Sequence, residues 1–225
     1  MASAGIPSSR GGLPPTTKHR RGRVTPRQAR ALAADSAFLL DPVDIPAALL
    51  AWSGPVVLDI GFGTGDVVES YARAEPDRLI LAVDMHTPGI GDLLARVGDA
   101  GLANVIVVSA DVRDILASSI PRARLCGVRS FFPDPWPKAR HHRRRLIRGD
   151  FPGMVADAVE PGGFWHIATD WPDYADSLDE AIRASGRWAG ERIPRPQTRP
   201  LTRYESRGLR AGREAIDSWW IRIRP

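Results

Sequence analysis

Three features of the sequence predict an α/β protein, a doubly wound Rossmann-like fold with a mostly parallel sheet and an antiparallel edge strand near the C-terminus. Short continuous apolar runs recur along the middle of the chain, a stretch of helical spacing follows each, and a glycine-rich turn closes the first. Continuous rather than alternating apolar strands imply burial on both faces, which helices packed on a parallel sheet provide. At 225 residues and 43% apolar, the chain can fill one sizeable core.

Residues 1–23 hold few apolar side chains and end in Lys18-His19-Arg20-Arg21-Gly22-Arg23, which predicts a flexible basic arm ahead of a single domain over residues 24–225. Thr25-Pro26 reads as an N-cap with proline at the first helical position. That helix is expected to carry Ala31, Leu32 and Leu39 or Leu40, and to stop at Asp41-Pro42. A short apolar piece, Ile45 to Trp52, follows. Strands are predicted at Val56–Ile60, Leu79–Val83, Val105–Val108, Leu125 to Phe131 and Phe164–Ala168. Helices are predicted from Gly65 to Ala74, Pro88 to Asp99, Asp111 to Ser118, Phe151 to Val159 and Tyr174 to Ser185. Trp188 and the run Ser218–Ile223 predict an antiparallel pair at the sheet edge, near the C-terminus.

Composition narrows the function. No run of 18 apolar residues exists and no apolar stretch follows the N-terminus, so neither a membrane span nor a secretory signal is expected. A single cysteine, Cys126, fits a reducing cytoplasm and reads as strand filler; no Cys/His cluster has metal-ligand spacing, so no metal is expected. His166 reads as a satisfied core residue, and Trp165, Trp219 and Trp220 as packing. Charge is segregated: residues 1–34, 138–148 and 187–225 carry net +7, +6 and +6, while 35–137 and 149–186 carry −7 each. Three basic blocks that converge in the fold would make a phosphate-binding face.

Asp59-Ile60-Gly61-Phe62-Gly63-Thr64-Gly65 closes the first strand and opens a helix. Glycines there permit a tight turn and close approach of backbone to a ligand. A nicotinamide fold normally shows G-x-G-x-x-G, whereas here the spacing is G-x-G-x-G. Asp59 stands before the loop, Asp84 ends the next strand, where an acid can accept from ribose hydroxyls, and Asp111 follows the third, where one can take an adenine amino group. Acids at three strand ends suit the cationic head and sulfonium of S-adenosyl-L-methionine (SAM) better than a pyrophosphate.

Phe131-Phe132-Pro133-Asp134-Pro135-Trp136-Pro137 places a carboxylate between two prolines that stiffen its backbone. An indole follows, then the cluster Lys138 to Arg145, which suits a polyanion. A Pro-rich surface turn leading into a solvated charged helix would read the same way in isolation.

Taken with Gly61-Phe62-Gly63-Thr64-Gly65, this stretch resembles the tRNA (guanine-N7-)-methyltransferases. So do Asp84-Met85-His86 with Pro88-Gly89, Ala168-Thr169-Asp170-Trp171, and the run Arg199 to Gly208; the match runs in order from about residue 18 to the C-terminus. The resemblance implies SAM-dependent methylation of N7 of a guanosine in the tRNA variable loop (guanosine-46 in tRNA numbering). It implies that Asp59, Asp84, Asp111 and Asp134 contact SAM, together with the loop of Gly61, Gly63 and Gly65, and that Asp134 is also catalytic. Lys138, Asp170, Thr202, Arg203, Tyr204 and Glu205 match its substrate-binding positions, and Arg140, His141, His142, Arg143, Arg144 and Arg145 its RNA-contacting segment. Glu205 is expected to read guanine N1 and N2. Asp59 and Asp84 stand where many members have Glu, Pro137 replaces His or Lys, and Arg203-Tyr204 replaces Lys-Phe. The expected partner is tRNA, bound by a monomer or homodimer. A nicotinamide oxidoreductase, a methyltransferase acting on an exocyclic amine, and a non-catalytic RNA-binding module are the rival readings. Each lacks support in the residues: the glycine spacing, the order Pro133-Asp134-Pro135-Trp136, and the retained acids speak against them in turn.

Overall fold

A computed structural model describes residues 22–34 and 36–224. Most of the basic arm expected over residues 1–23 lies outside the described residues. The elements run α1 (Pro26–Ala33), β1 (Leu39–Leu40), α2 (Ile45–Ala51), β2 (Val56–Ile60), α3 (Asp66–Ala74), β3 (Leu79–Asp84), α4 (Thr87–Ala100), β4 (Val105–Ser109) and α5 (Val112–Ser118). They continue with β5 (Leu125–Phe131), α6 (Phe151–Ala158), β6 (Val159–Thr169), α7 (Pro172–Ala184), β7 (Trp188–Ile193), α8 (Arg203–Arg210) and β8 (Ile216–Arg222).

The eight strands form one sheet in the order β1-β4-β3-β2-β5-β6-β8-β7. The first six in that list pair in parallel; β8 runs antiparallel to both β6 and β7. Neighbouring residues of β2 and β3 serve opposite faces. Leu58 and Leu81 join the core under α2, α5, α6 and α7, whereas Ile80 and Ala82 join the one under α3 and α4. The chain leaves β2 toward β3 and β4 on one side, then returns to β5 on the other. The switch point between β2 and β5 is where a doubly wound sheet opens a crevice at its strand ends.

The predicted strands and helices stand within a residue or two of their expected bounds, with three differences. First, α1 begins as expected, closed by a reciprocal box in which Thr25 N–H donates to Gln28 Oε1 (2.7 Å) and Gln28 N–H to Thr25 Oγ1 (3.3 Å). It ends at Ala33, however, and Leu39-Leu40 pair with Val107-Val108 as an edge strand. Pairing with an open sheet edge outweighs a helical spacing of two leucines. Second, β6 begins at Val159, five residues earlier than expected, and takes in Pro161-Gly162-Gly163 at a shift of its register with β5, with Gly162 at φ 89°. Third, α8 was not foreseen. It is capped by Thr202, whose Oγ1 accepts from Glu205 N–H at 2.9 Å.

Candidate active site

At the switch point the glycine loop turns with left-handed φ at Gly61, Gly63 and Gly65 (72°, 62° and 76°), conformations open to glycine at little cost. Gly61 N–H donates to the Val83 carbonyl at 2.9 Å, tying the loop to β3. The start of α4 presses close behind: a β-carbon on Gly89 would lie 1.9 Å from the Gly63 carbonyl oxygen. Asp84 locks the corner. Its Oδ2 accepts from Gly63 N–H (2.9 Å), and its Oδ1 from Met85 N–H (2.7 Å) and His86 N–H (2.9 Å). Burial pushes this carboxyl above its ordinary range while the three N–H groups pull the other way. Asp111 caps α5, accepting from Arg113 N–H at 2.9 Å.

A cavity of about 210 Å³ opens here. Asp84 and Asp111 line it with Gly61 and Gly63, together with Asp134, Trp136, Arg144 and Tyr204, whose ring lies 3.7 Å from the place of a β-carbon on Gly63. Asp59 does not line it. It is buried on the α3 side of the sheet beside Arg129 and Tyr71, 4% exposed, and its Oδ2 has no partner among the described residues. Burial lifts the Asp59 carboxyl to about 7 against the opposing pull of Arg129. Arg129 is itself held by two 2.9 Å bonds to Glu75 and lies 3.5 Å from the Tyr71 ring centre.

The loop after β5 carries Asp134 to the cavity mouth. Phe132 and Trp136 both hold left-handed φ (53° and 44°), unusual for bulky residues and typical of a chain forced into one shape near a site. Phe132 N–H donates to the Ala168 carbonyl at 2.7 Å. The Arg144 guanidinium sits 4.9 Å from the Trp136 ring centre, and His141 meets the same indole edge-on at 6.0 Å. Lys138, Arg140 and Arg143 are exposed; His141 and His142 are half-buried.

Besides Asp59 and Gly65, which do not line the cavity, four positions differ from expectation. Arg145 is buried, its guanidinium bonded to Pro135, Ser177, Asp173 and His142 instead of facing outward. Glu205, expected to read guanine, is 2% exposed, and its carboxylate is bonded by Arg199 (2.7 and 2.9 Å) and Arg195 (2.6 Å) instead of lining the cavity. Burial disfavours the Glu205 charge, but these two arginines hold the group below the ordinary range. Thr202 is buried as a cap. Asp170 sits beside α8, accepting from Arg213 Nε at 2.9 Å, and does not line the cavity. Of the run Thr202 to Glu205, Tyr204 reaches the cavity, while Arg203 stays exposed. The T-x-x-E spacing of Thr202 and Glu205 is a helix-start signature that explains both.

Beneath this wall runs a buried network. Arg199, fully buried, also donates to both Asp217 oxygens (2.7 and 2.9 Å), and Asp217 bonds His166 at 2.7 Å. His166 is thus a satisfied core residue; burial lowers its pKa despite the Asp217 partner. Trp165 and Trp220 are buried, and Trp219 stacks on Phe164.

The family model described as "Putative methyltransferase" matches residues 53–218. A tRNA (guanine-N7-)-methyltransferase of Nitrosospira multiformis is 41% identical over 209 residues, covering 88% of this chain and 90% of that protein. One from Halorhodospira halophila is 40% identical over 222 residues, covering 93% and 95%. The chain belongs to the tRNA (guanine-N7-)-methyltransferase family. Among solved structures, the 16S rRNA methyltransferase KamB superposes with a TM-score of 0.57 at 21% identity, covering 80% of this chain and 92% of that one. A 16S rRNA (adenine(1408)-N(1))-methyltransferase from Catenulisporales acidiphilia with cosubstrate SAM gives 0.57 at 18% identity, covering 83% and 93%. These two share the fold of this family member. Among the described residues no helix is long and apolar enough to cross a membrane, and no group of His, Cys, Asp and Glu could hold a metal ion.

Proposed function

We propose that this protein transfers the methyl group of SAM to N7 of guanosine-46 in the tRNA variable loop. The observation that carries the reading is the cavity at the switch point, which a bare glycine loop, Asp84 and Asp111 line together with Asp134 and Trp136. The residues fit SAM. Nothing lies within 4 Å of the place a β-carbon on Gly61 would occupy, so backbone there is open to a close neighbour. Asp84 and Asp111 would hold ribose hydroxyls and the adenine amino group, and Asp59, which burial keeps protonated up to about pH 7, would add negative charge behind the loop once ionised beside a cationic head.

When bound, SAM supplies an electrophilic methyl group on a sulfonium. Guanine N7 carries a free lone pair in the neutral base, so the protein has no proton to remove there. What it must provide is alignment and compensation for the positive charge that develops on the purine. Asp134 accepts from a guanine N–H and sets its charge against that cation. Trp136 stacks on the base after it leaves its own stack. Arg140, Arg143 and Arg144, with Lys138, engage backbone phosphates around the cavity mouth.

Labelled SAM, unmodified tRNA and nucleoside mapping test this directly. Label in N7-methylguanosine at position 46 is the expected product. Label in N6-methyladenosine, or tRNA binding without transfer, would refute the reading. An Asp134→Ala protein that binds both substrates and still works at the wild-type rate would remove Asp134 from the mechanism.

A further inference from the structure

Arg145 stands in the most basic run of the chain, yet its side chain is 4% exposed. Its donors are engaged inside the protein. Nε donates to the Pro135 carbonyl at 2.9 Å and Nη1 to Ser177 Oγ at 2.9 Å. Nη2 meets Asp173 and, at 3.0 Å, His142 Nε2. The guanidinium lies 4.9 Å from the centre of the buried Tyr174 ring. Asp173, Tyr174 and Ser177 all belong to α7, so Arg145 ties that helix to the residue immediately after Asp134.

The other side of Asp134 is tied as well, by the Phe132 N–H bond to the Ala168 carbonyl of β6. Asp134 therefore sits between two backbone anchors, one from the sheet and one from Arg145. The left-handed conformations of Phe132 and Trp136 flank the same short segment. Such conformations are strained for these side chains and persist where surrounding structure enforces them. A planar guanidinium can reach the loop carbonyl, a serine hydroxyl and a carboxylate at once; an ammonium on a flexible stem cannot reproduce that fork.

We propose that Arg145 is a positioning residue for Asp134: braced on α7 by Asp173 and Ser177, it grips the Pro135 carbonyl and fixes the Asp134 carboxylate at the cavity mouth, and it makes no contact with RNA. This rests on the reading of Asp134 as the group that faces the guanine. Neighbouring cations then divide the labour. Arg144 lines the cavity and covers Trp136, while Arg145 works from inside.

The test uses the full-length protein, unmodified tRNA and saturating SAM, with three variants: Arg145→Lys, the double change Asp173→Asn with Ser177→Ala, and Asp134→Ala. Readouts are kcat, KM for tRNA, SAM affinity by calorimetry, and the slope of log Kd for tRNA against log salt. Arg145→Lys should lower kcat about tenfold or more, as a misplaced catalytic group does, with KM, SAM affinity and salt slope unchanged. The double variant leaves Arg145 in place and should lower kcat in the same direction. Wild-type kcat in Arg145→Lys would overturn the proposal, and so would a raised KM with a shallower salt slope, the signature of a lost phosphate contact. Should Arg145→Lys fail to fold, wild-type kcat in the double variant overturns it. An Asp134→Ala enzyme at full rate would fell the catalytic reading itself. A slow Asp134→Ala beside a fully active Arg145→Lys would fell the brace alone.

Discussion

Replacing Asp59 with Asn should stabilise the ligand-free protein, and the gain should grow with pH. Asp59 is almost fully buried, with one oxygen lacking a partner, and burial carries its carboxyl from 3.8 to about 7. A carboxyl whose folded value lies above its unfolded value holds its proton more tightly in the folded state. Its contribution to stability is therefore intact at low pH and is lost as pH rises from about 4 to about 7. A shift of about three units, at about 1.36 kcal/mol each, sets an upper bound of about 4 kcal/mol. Asn has no proton to lose across that range. The other carboxylates titrate alike in both proteins, so the difference between them isolates Asp59. Urea unfolding of the two proteins at a series of pH values between about 4.5 and 8.5 measures it. The expected result is a difference that widens with pH and levels off above about 7; two parallel curves would refute the reasoning. The same substitution should weaken SAM binding above about pH 7, where the Asp59 carboxyl is ionised and the variant lacks that charge behind the glycine loop.

Glu205→Gln should destabilise the fold by about 3–5 kcal/mol, read by urea unfolding, because it strips a buried arginine of one of its two carboxylates. A base-reading residue would instead spare stability and spoil discrimination. Trp136→Ala should leave SAM affinity alone and cost about 1–3 kcal/mol in kcat/KM for tRNA, the scale of one lost base stack. Deleting residues 1–23 should weaken tRNA binding and flatten its salt dependence without changing SAM affinity, and Arg143→Ala should reduce the salt slope by about one. Filter binding across a salt series checks both.

The elements that build the sheet were legible because each strand is a continuous apolar run and each turn announces itself with glycine, proline or aspartate. Asp84, Asp111 and Asp134 were legible for a related reason: in a doubly wound sheet, the end of a strand is already a place in space. What escaped the sequence is contact between distant segments. Leu39-Leu40 could be assigned to the sheet only by knowing that β4 has a free edge. Arg145 looks no different from Arg143 or Arg144 until α7 folds against it, and Glu205 reads as a recognition residue until Arg199 closes on it. Position along the chain identifies a charge; burial and partners decide what the charge is for.

The order of the strands also has a bearing on synthesis. The glycine loop, Asp84 and Asp111 all lie in the first half of the chain, and the cavity receives its last wall at Tyr204. The outer partner of β6 arrives later still, with residues 216–222. At about 5–20 residues per second, the interval between the glycine loop and Tyr204 is on the order of ten seconds. A nascent chain thus carries the glycine loop, Asp84 and Asp111 while β6 remains an open edge and the Arg199 network has yet to assemble. Competence for tRNA should appear only after Tyr204 and the strand that follows it have emerged.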